Sequence, residues 1–148
     1  MGLKKYSYIF ILLIIMAFGK VLGKFLTKGV WCSSTKMTYD DSLNIYLSSF
    51  PEIEDSLNKT PKLLDEFTSF DSATCLSAEN KIIYYHTLVK NTKDDFDQEK
   101  FNSLMKNQID SNYFNNPKMF MIRKFRTKVN HVYIDKNGEL FTQINSGY

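Results

Sequence analysis

A β-hairpin near the end of the chain is the sequence feature that most constrains the fold. Two alternating stretches, Val129 to Asp135 and Glu139 to Asn145, flank Lys136-Asn137-Gly138. Asn-Gly between two such stretches is typical of a tight hairpin turn, because both residues tolerate the positive φ angles that the turn needs. These two strands are therefore predicted to pair, and the remaining elements must pack around them.

A second strand pair is predicted earlier in the chain, from Phe67 to Ser77 and from Lys81 to Lys90. The second of these reads KIIYYHTLVK and is apolar or aromatic in both alternations. This pattern predicts a central strand that is covered on both sides. One face would carry Ile82, Tyr84 and Leu88, and the other Ile83, Tyr85 and Val89.

Helical patterns lie before and between the strand pairs. Thr38 is predicted to cap a helical arm that ends before Pro51. The carboxylates Asp94, Asp95 and Asp97 indicate the start of the main helix, predicted from Asp97 to Tyr113. Asn116-Pro117 is typical of the start of a shorter helix. The apolar positions of the helical arm are Leu43, Tyr46, Leu47 and Phe50. Those of the main helix are Phe101, Leu104, Met105, Ile109 and Tyr113, and those of the shorter helix are Met119, Phe120, Ile122 and Phe125.

These elements predict an α+β fold. Its core would be a four-stranded antiparallel sheet in ββαββ order with one main helix packed on it, because this arrangement buries both apolar sets. An N-terminal helical arm precedes the sheet, and an export signal or anchor helix precedes the arm.

The N-terminus carries an apolar run of fourteen residues, Tyr6 to Gly19, after Lys4 and Lys5. A helix needs about 20 mainly apolar residues to span a bilayer, so a secretory signal is favoured, with cleavage after Gly23. Residues 1–23 would then be removed and residues 24–148 would form a single domain. The alternative is an uncleaved anchor from Tyr6 to Leu26 in the inner membrane.

The charge of the chain argues against a nucleic-acid partner. The formal net charge of +3 is matched by the three lysines of the N-terminal region, Lys4, Lys5 and Lys20. The remainder is balanced, whereas a nucleic-acid-binding domain keeps a basic excess. The balance is uneven along the chain: residues 40–79 hold nine acidic side chains and two lysines, whereas residues 118–128 hold five basic side chains and no acidic one.

The two cysteines, Cys32 and Cys75, both follow the predicted cleavage site. In an oxidising compartment they could form one intramolecular disulfide. Their spacing alone does not distinguish a disulfide from two free thiols.

No catalytic, cofactor-binding or metal-binding residue is predicted. On paired strands Cys75 would lie about 7–10 Å from His86, too far for a nucleophile and its base. His86 and His131 lie on strands that could be neighbours, and two imidazoles with a carboxylate could hold zinc. The absence of HxH or HExxH spacing favours two strand histidines whose hydrogen bonds are satisfied within the fold. The chain is therefore predicted not to be an enzyme.

Four segments, TPKLLDEFTSFDSA, KIIYYHTLVKNTKDDFD, NNPKMF and VYIDKNGELFTQI, carry a resemblance to a set of small exported bacterial proteins of uncharacterised function. The chain resembles them from Lys59 to Ile144. The resemblance implies export and a strand-strand-helix-strand-strand domain, and it implies no activity. Those proteins tend to have a glycine near Arg126 and a cysteine near Tyr113, which this chain lacks.

The predicted function is binding of another cell-envelope protein by an exported domain, periplasmic or secreted. The predicted contact surface lies at the end of the main helix and on the basic helix that follows, since aromatic and arginine side chains are enriched in protein-binding hot spots. The alternative is a membrane-anchored accessory subunit of an envelope complex, with the basic helix against anionic lipid. The surface comprises Tyr113, Phe114, Arg123, Lys124 and Arg126.

Overall fold

The computed structural model describes residues 37–59, 63, 64 and 66–147. Its strands are β1 (Thr68–Leu76), β2 (Lys81–Leu88), β3 (Lys128–Ile134) and β4 (Leu140–Ser146). They form one sheet with the spatial order β1-β2-β3-β4. The predicted α+β class and the order of the strand pairs agree with this architecture.

The prediction of a fully antiparallel sheet is wrong at its centre. β1 and β2 are antiparallel, as are β3 and β4, but β2 and β3 are parallel. Lys81 pairs with Lys128 at one end and Thr87 with Ile134 at the other. The connection of residues 89–127 returns the chain to the end at which β2 begins, and such a long helical crossover is what parallel pairing requires.

Four α-helices are described: α1 (Tyr39–Ser48), α2 (Phe50–Asn58), α3 (Gln98–Asn115) and α4 (Phe120–Lys124). Thr38 caps α1 by accepting from the N–H of Asp41, and Asp97 caps α3 by accepting from that of Lys100. A short 3₁₀ turn, Pro117–Met119, precedes α4 and is capped by Asn116. Each cap satisfies a main-chain donor at a helix start, as the sequence predicts. None of the helices in these ranges is long and apolar enough to span a membrane.

The predicted hairpin turn is confirmed, and Asp135 holds it together. Its carboxylate accepts hydrogen bonds from the N–H groups of Lys93 (3.1 Å), Asn137 (2.8 Å) and Glu139 (3.0 Å). Burial raises the pKa of this carboxyl group, but these three main-chain donors and Lys93 lower it, and the net shift is downward. Gly138 has a φ of +81°, the left-handed conformation that favours glycine.

The apolar core lies on one face of the sheet. On β2 the buried side chains are Ile82, Tyr84, His86 and Leu88, whereas Ile83, Tyr85 and Thr87 between them are half-buried. The prediction that β2 is covered on both sides is therefore wrong within the described residues, because the helix residues of the core pack on the first face alone.

Two adjoining clusters fill this face. The larger places α1, α2, α4 and the end of α3 against β1, β2 and the start of β3. The smaller packs the middle of α3 against β3 and β4 around Tyr133. Three residues that were predicted to be covered are exposed instead: Val89 after β2 (38 %), Leu104 on α3 (50 %) and Phe120 on α4 (56 %). Leu104 lies beside the buried stripe of α3, which centres on Ile109 and Tyr113.

The outer edge of β1 is closed by side chains of α2. The N–H of Ala73 donates to Oδ1 of Asn58 (2.7 Å), and the carbonyl of Ala73 accepts from Nδ2 of Asn58 (3.2 Å). The N–H of Cys75 donates to a carboxylate oxygen of Glu54 (2.6 Å). These contacts occupy main-chain groups that an edge strand otherwise presents to another chain.

Candidate binding surface

The junction between α3 and α4 is fixed by one arginine. Nη1 of Arg123 donates to the carbonyl oxygens of Tyr113 (2.7 Å) and Asn116 (2.8 Å). The last carbonyl groups of a helix have no hydrogen-bond partner within the helix, and a guanidinium group at this position supplies one. Its positive charge is also attracted by the negative end of the helix dipole. Arg123 therefore holds α4 against the end of α3.

Aromatic and basic side chains are exposed around this contact. Phe114, on the last turn of α3, is 49 % exposed, and Phe120, at the start of α4, is 56 % exposed. Lys124 lies one helical turn after Phe120, and residues at this spacing share a helix face. Lys118 and Arg126 are also exposed. We call these five residues the helix-junction surface: Phe114, Lys118, Phe120, Lys124 and Arg126.

Tyr39 borders the helix-junction surface from α1. Its hydroxyl group donates to the carbonyl of Lys124 at 3.4 Å, and its ring lies 5.8 Å from that of Phe125. Tyr39 is 51 % exposed. Sequence analysis missed both Tyr39 and Phe120: the first is distant in the chain, and the second was placed among the apolar residues of its helix.

Tyr113 does not belong to the surface, contrary to the sequence prediction. It is 1 % exposed, and its hydroxyl group donates to the carbonyl of Thr127 at 3.3 Å. The reason is its spacing from Ile109, which places both residues on the core stripe of α3. Arg123 is half-buried and bound to main-chain carbonyls, so its role at the junction is structural. Phe114, Lys124 and Arg126 are exposed, as a contact surface requires.

A buried polar network anchors the junction to the sheet. The hydroxyl group of Tyr46 donates to Oγ1 of Thr127 (3.0 Å), and the Thr127 hydroxyl donates to Oδ1 of Asn80 (2.9 Å). Nδ2 of Asn80 donates to the carbonyl of Phe125 (2.6 Å). Arg126, between these groups, has a φ of +52°, the conformation for which glycine is favoured. The network fixes the backbone that presents Lys124 and Arg126.

The stretch of chain that carries the helix-junction surface contains no acidic residue. Residues 111–134 contain five basic side chains and neither Asp nor Glu. An anionic group on a partner therefore meets no carboxylate from this stretch. The surface therefore combines exposed basic side chains with two half-exposed aromatic rings.

The two histidines form a buried pair on the core face of the sheet. Nε2 of His86 lies 3.1 Å from Nδ1 of His131, and their rings stack at 5.3 Å with an angle of 9°. Tyr84 stacks on His131 and Tyr133 on His86. Burial lowers the pKa of His131 to about 3 and, together with His131, lowers that of His86 well below its usual value. Both imidazoles are therefore neutral at pH 7.

The pair does not form a recognisable metal centre. In the described ranges no group of three His, Cys, Asp or Glu side chains could hold a metal ion. Nδ1 of His86 is buried and has no hydrogen-bond partner among the described residues. The prediction that His86 and His131 lie on neighbouring strands is confirmed. The expectation that the hydrogen bonds of both rings are satisfied is wrong for Nδ1 of His86.

Cys75 lies half-buried on β1, and within the described residues its thiol forms no disulfide. Burial, with a smaller contribution from the charge of Glu54, raises its pKa to about 12. It pairs with Ile82, whereas His86 pairs with Phe70. Four residues along β2 separate the two positions, or about 13 Å, so Cys75 and His86 do not form a dyad.

Cys32 lies outside the described residues, and its disulfide with Cys75 stays a prediction, as do cleavage after Gly23 and the Tyr6 to Leu26 anchor.

Comparison with known proteins adds one structural relative. A protein of Pseudomonas aeruginosa, known from a crystal structure and described there as a presumed secreted protein, is similar to this chain with a TM-score of 0.52. The two are 12 % identical, and the match covers 76 % of this chain and 94 % of the other. No protein-family model matches the chain, and the search of curated proteins finds no match. At this identity, the similarity shows the fold alone.

Proposed function

We propose that this chain is exported and that its folded domain acts by binding another protein of the cell envelope, without catalysing a reaction. The observation that carries the proposal is the helix-junction surface, where two half-exposed phenylalanine rings and three exposed basic side chains belong to one short stretch of chain, residues 114–126. Aromatic and arginine side chains are enriched among the residues that dominate the binding energy of protein interfaces.

The rigidity of the junction supports this proposal. Arg123 and the network around Thr127 fix the backbone below Phe120 and Lys124. A surface that is already ordered loses less conformational entropy on binding than a flexible one. The partner that fits it is a protein segment with acidic side chains and at least one apolar group, because charge and aromatic area are presented together.

Export is proposed from the N-terminal sequence. The basic residues and the fourteen-residue apolar run favour a secretory signal, and the Pseudomonas protein with the similar fold is described as presumed secreted. Intact mass measured on protein from fractionated cells tests this. A species beginning at Lys24 in the extracytoplasmic fraction supports export of a cleaved domain. A full-length species in the membrane fraction supports the membrane-anchored accessory subunit instead.

Binding is tested with protein recovered from that fraction and immobilised as bait. We expect saturable capture of an extracytoplasmic protein that is lost with Phe120→Ala and with Lys124→Glu. Leu104→Ala is the matched control for the first variant, since Leu104 is 50 % exposed on α3. Lys136→Glu, at the exposed hairpin turn, is the control for the second. Capture that the surface variants and the controls reduce equally would contradict the proposal.

A membrane is the other anionic partner that a basic surface could contact. Anionic lipid attracts clusters of basic residues, at about 1 kcal/mol for each one near the bilayer surface. Flotation of the protein with vesicles of phosphatidylglycerol and phosphatidylethanolamine distinguishes the two partners. Binding to vesicles that Lys124→Glu abolishes, without any saturable protein partner, would overturn the protein-binding proposal in favour of the lipid contact.

A further inference from the structure

The face of the sheet that points away from the helices carries an apolar patch of its own. Tyr85 and Val132 are register partners at the centre of this second face. The alternation along β2 and β3 places Ile83 and Ile134 diagonally beside them. Val132 is only 9 % exposed, yet it belongs to neither of the two core clusters. We call these four residues the second-face patch: Ile83, Tyr85, Val132 and Ile134.

A buried polar atom lies in the same face. Asn130 is the register partner of Ile83 on one side and of Asn145 on the other, and it is 6 % exposed. Its Oδ1 is buried and has no hydrogen-bond partner among the described residues. A buried acceptor without a donor is costly and rare in folded proteins. The unpaired acceptor and the apolar patch together indicate that a further segment contacts this face.

Polar margins limit what can cover the second-face patch. Ser72 and Thr74 of β1 lie on one side of it, and Gln143 and Asn145 of β4 lie on the other. The apolar width is therefore two strands, about 5 Å apart. A second sheet packed face to face would bury the facing residues of all four strands, which these polar margins oppose. A single segment laid along β2 and β3 matches the width of the patch.

The described chain begins beside this face. The hydroxyl group of Tyr39 donates to the carbonyl of Lys124, and residues 125–127 lead from there to Lys128, the first residue of β3. Residues 24–36 join the predicted cleavage site to this region. Thirteen residues extend over at most about 43–47 Å, whereas the eight residues of β2 span about 27 Å. The segment is therefore long enough to pass the end of the sheet and run along its second face.

We propose that residues 24–36 of the same chain lie extended across the second face of the sheet, with Trp31 packed on the second-face patch. In their sequence, KFLTKGVWCSSTK, the lysines Lys24, Lys28 and Lys36 are all even-numbered. Successive side chains of an extended segment point to opposite sides, so the other side is free of charge. That side carries Phe25, Thr27, Gly29, Trp31, Ser33 and Thr35.

The uncharged side of the segment suits the face in three respects. The Trp31 ring supplies apolar area, since a buried aromatic side chain covers about 150–250 Å². Hydroxyl groups on the same side supply the kind of donor that Oδ1 of Asn130 lacks. No lysine is brought to the end of the face where Lys81 and Lys128 are already register partners, and like charges there would repel. The helix-junction surface lies on the helices, so the proposal is independent of the proposed function.

The predicted disulfide between Cys32 and Cys75 is the competing arrangement. Cys75 is the register partner of Ile82 and packs against the larger core cluster, so its side chain lies on the face that the helices cover. A closed disulfide would hold residue 32 there and keep Trp31 away from the second-face patch. Protein recovered from cells with this disulfide closed would therefore overturn the proposal.

Trp31 is the single tryptophan of the chain, so its fluorescence reports the contact. In protein recovered from cells and freed of membranes, we expect blue-shifted emission and protection from acrylamide quenching, both unchanged by dilution. Ile83→Lys should abolish the shift and the protection, because it places a charge in the patch. Ile45→Lys is the matched control, since Ile45 is 47 % exposed on α1, and it should preserve both.

A double-mutant cycle tests the same contact with variants that disturb the fold less. Ile83→Ala and Trp31→Ala should destabilise the protein together by less than the sum of their separate effects, as residues in contact do. Ile45→Ala with Trp31→Ala should be additive. Denaturant unfolding followed by circular dichroism measures both cycles.

Three further results would contradict the proposal. The first is native Trp31 emission and quenching equal to those of the denatured chain. The second is additivity in both cycles, which would show that Trp31 and Ile83 do not touch. The third is protection that is lost on dilution, which would assign the covering segment to a second copy of the chain.

Discussion

Nε2 of His86 lies 3.1 Å from Nδ1 of His131 on the core face of the sheet. Phe70, Tyr84 and Tyr133 surround the two rings. No carboxylate contributes to the lowered pKa of either imidazole. A proton added to this pair would therefore be a buried charge with no counter-ion among the described residues, which is strongly unfavourable.

The histidine pair predicts that stability falls in mild acid. The folded-state pKa of both residues is below the unfolded value of about 6.5, so between these values only the unfolded state binds the protons. The free energy of unfolding is highest above pH 6.5 and falls as the pH drops, by about 1.4 kcal/mol per pH unit for each imidazole.

Denaturant unfolding at pH 7.5 and at pH 5.5 measures this dependence. The matched variant carries His86→Phe and His131→Phe, which keep the aromatic stacking and remove both titrating groups. We expect the wild type to lose markedly more stability than the variant between the two pH values. Equal losses would show that the pair does not control the acid sensitivity.

Gly138→Val should destabilise the hairpin. A side chain at Gly138 would meet nothing within 4 Å, so the cost comes from the backbone, which has a φ of +81°. A left-handed conformation costs an ordinary residue about 1–2 kcal/mol. The melting temperature measures the loss, and Gly138→Asn is the control, since asparagine tolerates this conformation. Equal melting temperatures for valine and glycine at this position would contradict the turn geometry.

Asn58→Ala should destabilise the fold by about 1–2 kcal/mol, because it removes two hydrogen bonds to the main chain of Ala73. Chemical denaturation measures the effect. Asn44→Ala is the matched control, since Asn44 is exposed on α1 and should change stability little. If both variants have the same stability, the side chain of Asn58 does not hold the β1 edge.

Arg123→Met should lower the free energy of unfolding by about 1–2 kcal/mol, because it deletes the donors to the carbonyls of Tyr113 and Asn116 while keeping the length of the side chain. Lys124→Met, at the neighbouring exposed position, should leave stability nearly unchanged. An Arg123 variant as stable as the Lys124 variant would refute the structural role assigned to Arg123.

The features that sequence analysis predicted correctly depend on local interactions. Thr38, Asp97 and Asn116 cap their helices through bonds to residues two or three positions on. Gly138 adopts its left-handed conformation in the short turn between β3 and β4. Such contacts are encoded by neighbouring residues, so a single sequence is enough to place them.

The features that were missed depend on the path of the chain. The parallel pairing of β2 with β3 follows from the return through α3 and α4, which residue patterns do not specify. Phe120 was predicted in the core as an apolar member of its own short helix, but Met119, Ile122 and Phe125 form the buried face there and leave Phe120 exposed. Tyr113 was assigned to the surface because of its neighbours, although its own spacing places it in the core.

Site-specific photo-crosslinking at Phe120 tests the central claim most directly. A photoreactive phenylalanine analogue replaces Phe120 in the full chain, expressed in the cells that produce it, and the same analogue at Leu104 serves as the control. We predict a discrete adduct with an extracytoplasmic protein from position 120, absent from position 104 and reduced by Lys124→Glu. Identical adducts from both positions, or no protein adduct from position 120, would contradict the account.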